Sequence, residues 1–94
     1  MSDESDRLLE AEVVRPCVEY AEIRGWFVER IRETRRRGFP DHYFLRAGVT
    51  RLCEFKRPGE EPKEHQVLRH EQIREHGGIV DVMDNLADFK KVYR

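Results

Sequence analysis

Three side chains near the middle of this 94-residue sequence have types and spacing that could do chemistry together: Asp41, Glu54 and Lys56. Asp41 ends the run Gly38-Phe39-Pro40-Asp41, and Glu54-Phe55-Lys56 follows after twelve intervening residues. Two carboxylates brought together repel unless a cation or a proton lies between them. A hard divalent ion, Mg²⁺ or Mn²⁺, suits an all-oxygen site, where it lowers the pKa of a bound water and polarises a phosphodiester oxygen. A lysine two residues from the glutamate can orient or deprotonate that water, or stabilise charge on the phosphorus oxygens. That chemistry is phosphodiester hydrolysis. Taken alone, Pro-Asp and Glu-x-Lys are short and degenerate, and a Glu-x-Lys pair on a strand is commonly a surface ion pair.

The elements around these residues must bring them together. Asp41 to Arg46 alternates as a strand, Ala47-Gly48 is a tight turn, and Val49 to Lys56 is a second strand. Alternation places Leu52, Glu54 and Lys56 on one face and Arg51, Cys53 and Phe55 on the other. With a two-residue turn, Arg46 pairs with Val49 and paired numbers sum to 95, so Asp41 lies opposite Glu54. Directly opposed Cβ atoms are about 4.5–5.5 Å apart, near enough for both carboxylates to hold one cation. A three-residue turn would set Asp41 against Phe55 and destroy the arrangement. The site therefore predicts the turn.

Elsewhere the pattern reads as a helix from about Asp6 to Arg24, kinked or divided by Pro16 and stopped by Gly25. Trp26 to Ile31 reads as a strand, Glu33 to Gly38 as a basic loop, and Arg57 to Pro62 as a loop. Lys63 to His76 reads as a helix ended by Gly77-Gly78, and Ile79 to Met83 as a short strand. Asp84 or Asn85 caps a last helix carrying Leu86, Phe89 and Tyr93 on one side. The order is α-β-β-β-α-β-α in a single domain over residues 1–94, with residues 1–5 frayed.

A chain of this length buries roughly 60–65% of its unfolded surface, so its core is thin and a second subunit would help to stabilise it. Charged residues are 39% of the chain and apolar residues 38%, and the formal net charge is −1. That total hides a segregation. Asp3, Glu4, Asp6, Glu10 and Glu12 face only Arg7 at the start, whereas Arg30, Arg32, Arg35, Arg36 and Arg37 surround a single Glu33. A local basic stretch can bind phosphate even when the whole chain is nearly neutral. Cys17 and Cys53 stand in apolar settings without CxxC spacing and read as reduced core residues. Neither a signal peptide nor a long apolar run is present, so a soluble, intracellular chain is expected.

Two more residues extend the candidate site. At about 100° per residue, Glu10 falls within the apolar face of Val13, Val14, Cys17 and Ala21, whereas Glu12 points nearly opposite. A carboxylate there is either solvated at the helix end or facing a pocket. Gln66 opens the helix after the third strand, on the side of His70 and Ile73, and its plain alternative is a first-turn polar residue. His70 reads as a packed or surface histidine, and His42, His65 and His76 form no metal-ligand spacing.

In sequence order, Glu10, Gly25-Trp26, the Arg-rich loop, Gly38-Phe39-Pro40-Asp41, Glu54-Phe55-Lys56-Arg57-Pro58-Gly59, Gln66 and Gly77 together resemble the VRR-NUC family. This is a branch of the PD-(D/E)XK nuclease superfamily, and the resemblance runs from about Glu10 to Tyr93. It implies an α/β, restriction-endonuclease-like core with a mixed central sheet flanked by helices. It implies Mg²⁺ or Mn²⁺ held by Asp41, Glu54 and the main-chain carbonyl of Phe55, with Lys56 as the catalytic lysine. The family's helix-one glutamate maps onto Glu10, which would reach the metal directly or through water, and its glutamine maps onto Gln66. Free-standing members of this length occur in phages and bacteria and resemble homodimeric endonucleases acting on four-way (Holliday) junctions in DNA repair and recombination. A cytoplasmic location follows from that resemblance, and no membrane partner or organic cofactor is expected. Pro16 inside the first helix and the near-neutral charge are departures from the family pattern.

Arg35, Arg36 and Arg37 directly precede the aspartate loop and are candidates for phosphate contacts, with Arg57 and Lys63 as weaker ones. Solvated loop charges are the alternative for the three arginines. Two rival functions stand beside the DNA endonuclease: a non-catalytic nucleic-acid-binding module of the same fold, and an endonuclease of the superfamily acting on other DNA structures or on RNA.

Overall fold

A computed structural model describes the backbone of residues 2–94 and the side-chain environments from Glu4 onward. The chain begins with a long helical segment in three parts: α1 (Ser2–Leu9), a π-helical turn (Glu10–Val14) and α2 (Arg15–Ile23). Pro16 accounts for the middle part. Its ring would crowd the carbonyl four residues back, and it has no N–H to donate. A wider turn relieves both problems, and the Arg15 N–H reaches back to the Glu10 carbonyl. Residues 2–5, expected to be a frayed start, lie in α1; Met1 lies outside the described residues. Ser5 helps to hold this end, because its hydroxyl accepts from the Arg57 guanidinium.

Strands β1 (Phe27–Arg30), β2 (His42–Arg46), β3 (Val49–Phe55) and β4 (Val80–Met83) form one sheet in that spatial order. The first three are antiparallel neighbours, and β4 runs parallel to β3 after the crossover helix α3 (Glu64–Glu75). The last helix, α4 (Leu86–Val92), is capped by Asn85, whose side-chain oxygen accepts from the Asp88 N–H at 2.8 Å. The mixed sheet with flanking helices and the element order agree with the sequence expectation. Among the described residues, no helix is long and apolar enough to cross a membrane.

The core lies between the sheet and the α2/α4 layer. Phe44 and Phe55 from the sheet meet Phe89 and Tyr93, and Val13, Val14, Cys17 and Ala21 close the cluster from the first helix. The rings of Phe89 and Tyr93 stack at 4.0 Å, and the Trp26 indole N–H donates to the Tyr93 carbonyl at 3.2 Å. Cys17 and Cys53 are free, buried thiols in this cluster. The other face of β3 carries the polar residues of interest.

Candidate active site

The β2–β3 hairpin sets the geometry of the site. Arg46 pairs with Val49 and His42 with Cys53, as the two-residue turn requires. Ala47 (φ 52°) and Gly48 (φ 80°) both adopt positive φ, the type I′ geometry that matches strand twist. One step beyond the last ladder pair, the same register sets Asp41 across from Glu54. The Phe55 N–H is 3.4 Å from each Asp41 carboxylate oxygen, a long contact that nonetheless holds Asp41 against β3. The Asp41 carbonyl accepts from the Ile31 N–H at 2.8 Å, which ties the other side of this segment to the end of β1.

Gly38 explains how the preceding loop reaches this position. Its φ is 93°, and a Cβ there would lie 2.5 Å from the His65 carbonyl oxygen, so the loop packs backbone to backbone on α3. Arg69 covers the adjacent Phe39 ring, its guanidinium carbon 5.5 Å from the ring centre. Pro40 is buried between these layers. The Gly-Phe-Pro-Asp run therefore brings Asp41 to the β3 edge from a docked loop.

Glu54 and Lys56 are 5% and 7% exposed, unusual burial for charged side chains. Burial, reinforced by the neighbouring Asp41 carboxylate, pushes the Glu54 carboxyl up to about 8, against the opposing pull of Lys56. Gln66 Nε2 donates to Glu54 Oε2 at 3.2 Å, while Gln66 Oε1 accepts from the Lys63 N–H at 2.8 Å. The glutamine thus clamps the glutamate to the first turn of α3. The second carboxylate oxygen, Glu54 Oε1, is buried and has no hydrogen-bond partner. His70 Nε2 lies 3.8 Å from it and is likewise buried and unpartnered.

These side chains line a cleft of about 540 Å³. Asp41, Glu54 and Lys56 form its floor; Arg37, Arg57, Lys63 and His65 supply cationic or ionisable groups around it, and Gln66 lines it as well. Arg57 is partly engaged, with Nη2 3.0 Å from Glu60 Oε2. Arg35 and Arg36 are exposed and do not line the cleft. Of the five cationic residues expected to face DNA, three border the acidic floor.

Glu10 departs from its expected place. Its side chain is 43% exposed and its Oε1 lies 3.7 Å from Arg30 Nη1, in a separate hollow bordered by Val14, Val18, Val28 and His42. The π turn adds a residue to the helical repeat, so the preceding segment is rotated relative to a regular helix. Leu9 takes the inward position instead and packs against the core. Ser5, Asp6 and Leu9 are the residues of this helix that line the cleft. At about 100° per residue Asp6 falls on the same face as Glu10, one turn earlier, and that spacing is the signal for it.

Among the described residues, no three His, Cys, Asp or Glu side chains form a ready metal cluster. The two carboxylates that face each other across the hairpin are Asp41 and Glu54, with the Phe55 main chain beside them, and Asp6 and Glu60 line the same cleft. Glu54 Oε1, buried without a donor, is the atom a cation would satisfy, and an oxygen-only donor set fits a hard ion such as Mg²⁺ or Mn²⁺.

No family model matches the sequence, and no curated protein matches it either. A solved structure described as a VRR_NUC domain is similar, with a TM-score of 0.70 and 29% sequence identity. The similarity covers 82% of this chain and 89% of that one, so it spans almost a whole domain on both sides. Fold, extent and identity agree with the motif order read from the sequence and support the resemblance to VRR-NUC nuclease domains.

Proposed function

We propose that this chain is a divalent-cation-dependent endonuclease that hydrolyses DNA phosphodiester bonds, selects branched DNA such as four-way junctions, and works as a homodimer. The observation that carries the catalytic part is the buried, unpartnered Glu54 Oε1, set across the hairpin from Asp41 and beside Lys56. A purely structural ion pair would leave no carboxylate oxygen unsatisfied in a cleft open to solvent.

Asp41, Glu54 and the Phe55 carbonyl would hold Mg²⁺ or Mn²⁺, which supplies charge to the phosphodiester oxygens and acidifies water. Gln66 keeps Glu54 oriented through its 3.2 Å bond. Lys56 orients the attacking water and stabilises charge on the phosphorus oxygens. Water adds to phosphorus in line with the departing 3′ oxygen, leaving a 5′-phosphate and a 3′-hydroxyl. Arg37 and Lys63 at the cleft, and the exposed Arg35 and Arg36 on the approach, contact backbone phosphates. These contacts fix position without reading base sequence.

Selection of branched DNA rests on the small size of the domain and its resemblance to VRR-NUC domains. One domain offers one cleft, and a two-fold dimer presents two clefts to the two strands of a symmetric junction. Exposed apolar side chains at Ile23, Phe27 and Leu68 are consistent with a further contact surface.

A labelled panel of four-way junction, flap, splayed arm, linear duplex and single-stranded RNA, each with Mn²⁺, Mg²⁺ or EDTA, tests the whole reading. Cutting of the junction in Mn²⁺ or Mg²⁺ and none in EDTA is expected. Lys56→Ala should lose about 10²–10⁴-fold in rate while folding and binding DNA. Full activity in that variant, or turnover in EDTA, overturns the assignment. Equal rates on junction and duplex remove the structural selectivity, and cutting of RNA alone moves the substrate class. Sedimentation of the protein with a junction checks for two chains per DNA.

A further inference from the structure

His42 follows Asp41 directly but faces the core side of β2, where it is 6% exposed. Its ring stands edge-on to Phe55, with centroids 5.0 Å apart at 83°, and lies 6.3 Å from the Phe44 ring. Beyond the ring lies the hollow of about 360 Å³ that Glu10 and Arg30 also border. The imidazole is therefore wedged by aromatic rings and has little freedom to turn. His42 Nδ1 lies 2.9 Å from Asp41 Oδ1.

An ionised carboxylate only accepts hydrogen bonds, so Nδ1 carries the hydrogen and donates. This is the short contact of the Asp41 carboxylate; its contacts with the Phe55 N–H are 3.4 Å at both oxygens. Asp41 also needs such support. It precedes the first ladder residue of β2, and its side chain is about one-third exposed, at 35%. At the end of a loop, only the two long Phe55 N–H contacts otherwise fix the plane of this carboxylate.

We propose that His42 is the positioning residue for Asp41: it binds one lobe of Oδ1 and holds the carboxylate plane so that the remaining lone pairs face Glu54. The inference rests on the reading of Asp41 as a cation ligand. It assigns no proton transfer to His42 and no contact with the substrate. Groups that hydrogen-bond a metal ligand from behind commonly change metal affinity or activity by about 10–100-fold when removed.

The test is Mn²⁺ binding to the full chain without DNA, followed by the electron paramagnetic resonance signal of free Mn²⁺. His42→Phe keeps a flat ring against Phe55 and Phe44 but removes the donor. His42→Asn places an amide N–H near the position of Nδ1. The expected result is affinity about 10–100-fold weaker in His42→Phe and largely restored in His42→Asn, with similar melting temperatures in EDTA. Equal affinity in wild type and His42→Phe overturns the proposal, as does equal loss in two folded variants. Should His42→Phe fail to fold, the ¹⁵N shifts of the wild-type imidazole decide: Nδ1 protonated supports the proposal, and Nδ1 unprotonated overturns it. A wild-type chain that binds no Mn²⁺ overturns the cation reading of Asp41 and the present inference with it, whereas binding unaffected by His42→Phe overturns the inference alone.

Discussion

Glu54 Oε1 and the buried His70 Nε2 lie 3.8 Å apart, and neither has a hydrogen-bond partner. The separation is too long for a hydrogen bond. Burial pushes the Glu54 carboxyl up to about 8 and, with Arg74 and Lys56 nearby, pushes the His70 imidazole below its ordinary value. Without a cation, both groups are therefore neutral near pH 7. Neither of these two groups carries a buried charge until something arrives to compensate it.

A stability profile follows. Between the ordinary carboxylate value of 4.5 and about 8, the folded cation-free chain keeps a proton on Glu54 that the unfolded chain has released. Stability from this group therefore falls as pH rises through that window and levels off above it. His70 acts in the opposite sense, but only below its ordinary value of 6.5. From pH 6.5 to 8 in EDTA, the Glu54 contribution should lower stability by on the order of 1–2 kcal/mol. Urea unfolding across that range measures it. Glu54→Gln should abolish the decline along with cutting, and saturating Mn²⁺ should suppress it in the wild type. An unchanged slope in Glu54→Gln would assign the titration elsewhere.

Gln66 joins two functions in one amide, because its oxygen accepts from the Lys63 N–H at the start of α3 and its nitrogen donates to Glu54. Gln66→Ala should lose both. Loss of the helix-start bond should cost about 0.5–2 kcal/mol, and loss of the hold on Glu54 should weaken Mn²⁺ affinity by roughly 10–100-fold. Gln66→Glu separates the effects: it retains the acceptor for Lys63 but adds a carboxylate beside Glu54. Melting temperature and Mn²⁺ titration on the two variants should therefore diverge. Parallel changes would show that Gln66 acts on the helix alone.

The hairpin gives the sharpest structural test. Deleting Gly48 forces the two-residue turn to take in Val49 or Arg46, which shifts the β2 register against β3 and moves Asp41 from Glu54 to Phe55 or Cys53. Cutting and Mn²⁺ binding should be lost even where the circular dichroism spectrum persists. Ala47→Asn works in the other direction. Ala47 holds a φ of 52°, which a side chain other than Asn, Asp or Gly adopts at a cost. The substitution should stabilise the chain by about 0.5–1 kcal/mol without changing the rate, read from urea midpoints and junction cleavage.

Asp41, Glu54 and Lys56 were legible from sequence because a two-residue turn and strand alternation leave one register, and side-chain direction follows from it. Gln66 was legible as the first-turn polar residue after β3, though its bond to Glu54 required the fold. Glu10 lies outside the cleft, away from its projected position, because helical spacing assumes a constant repeat and the π turn at Glu10–Val14 breaks it. His42 and His70 went unrecognised as neighbours of the carboxylates because histidine on an apolar face ordinarily signals packing. For His42, the usable signal was an ionisable residue alternating with Phe44 directly beside the aspartate.

Glu10 supplies the last prediction. It pairs with Arg30 at 3.7 Å across a largely solvent-facing hollow, where an exposed ion pair contributes about 0–1 kcal/mol. Glu10→Ala should therefore leave Mn²⁺ affinity and cleavage within about 2-fold of wild type, the modest change expected of a side chain outside the cleft. Comparison with Arg30→Ala and the double variant isolates the pair: the double variant should cost little more than either single one. Loss of cleavage in Glu10→Ala, with Mn²⁺-free folding intact, would mean that the α1 segment rotates at the π turn when cation and DNA bind and carries Glu10 into the cleft. Single-turnover kinetics on the junction distinguish the two outcomes, because the static arrangement leaves the chemical step unchanged and the rotating one abolishes it.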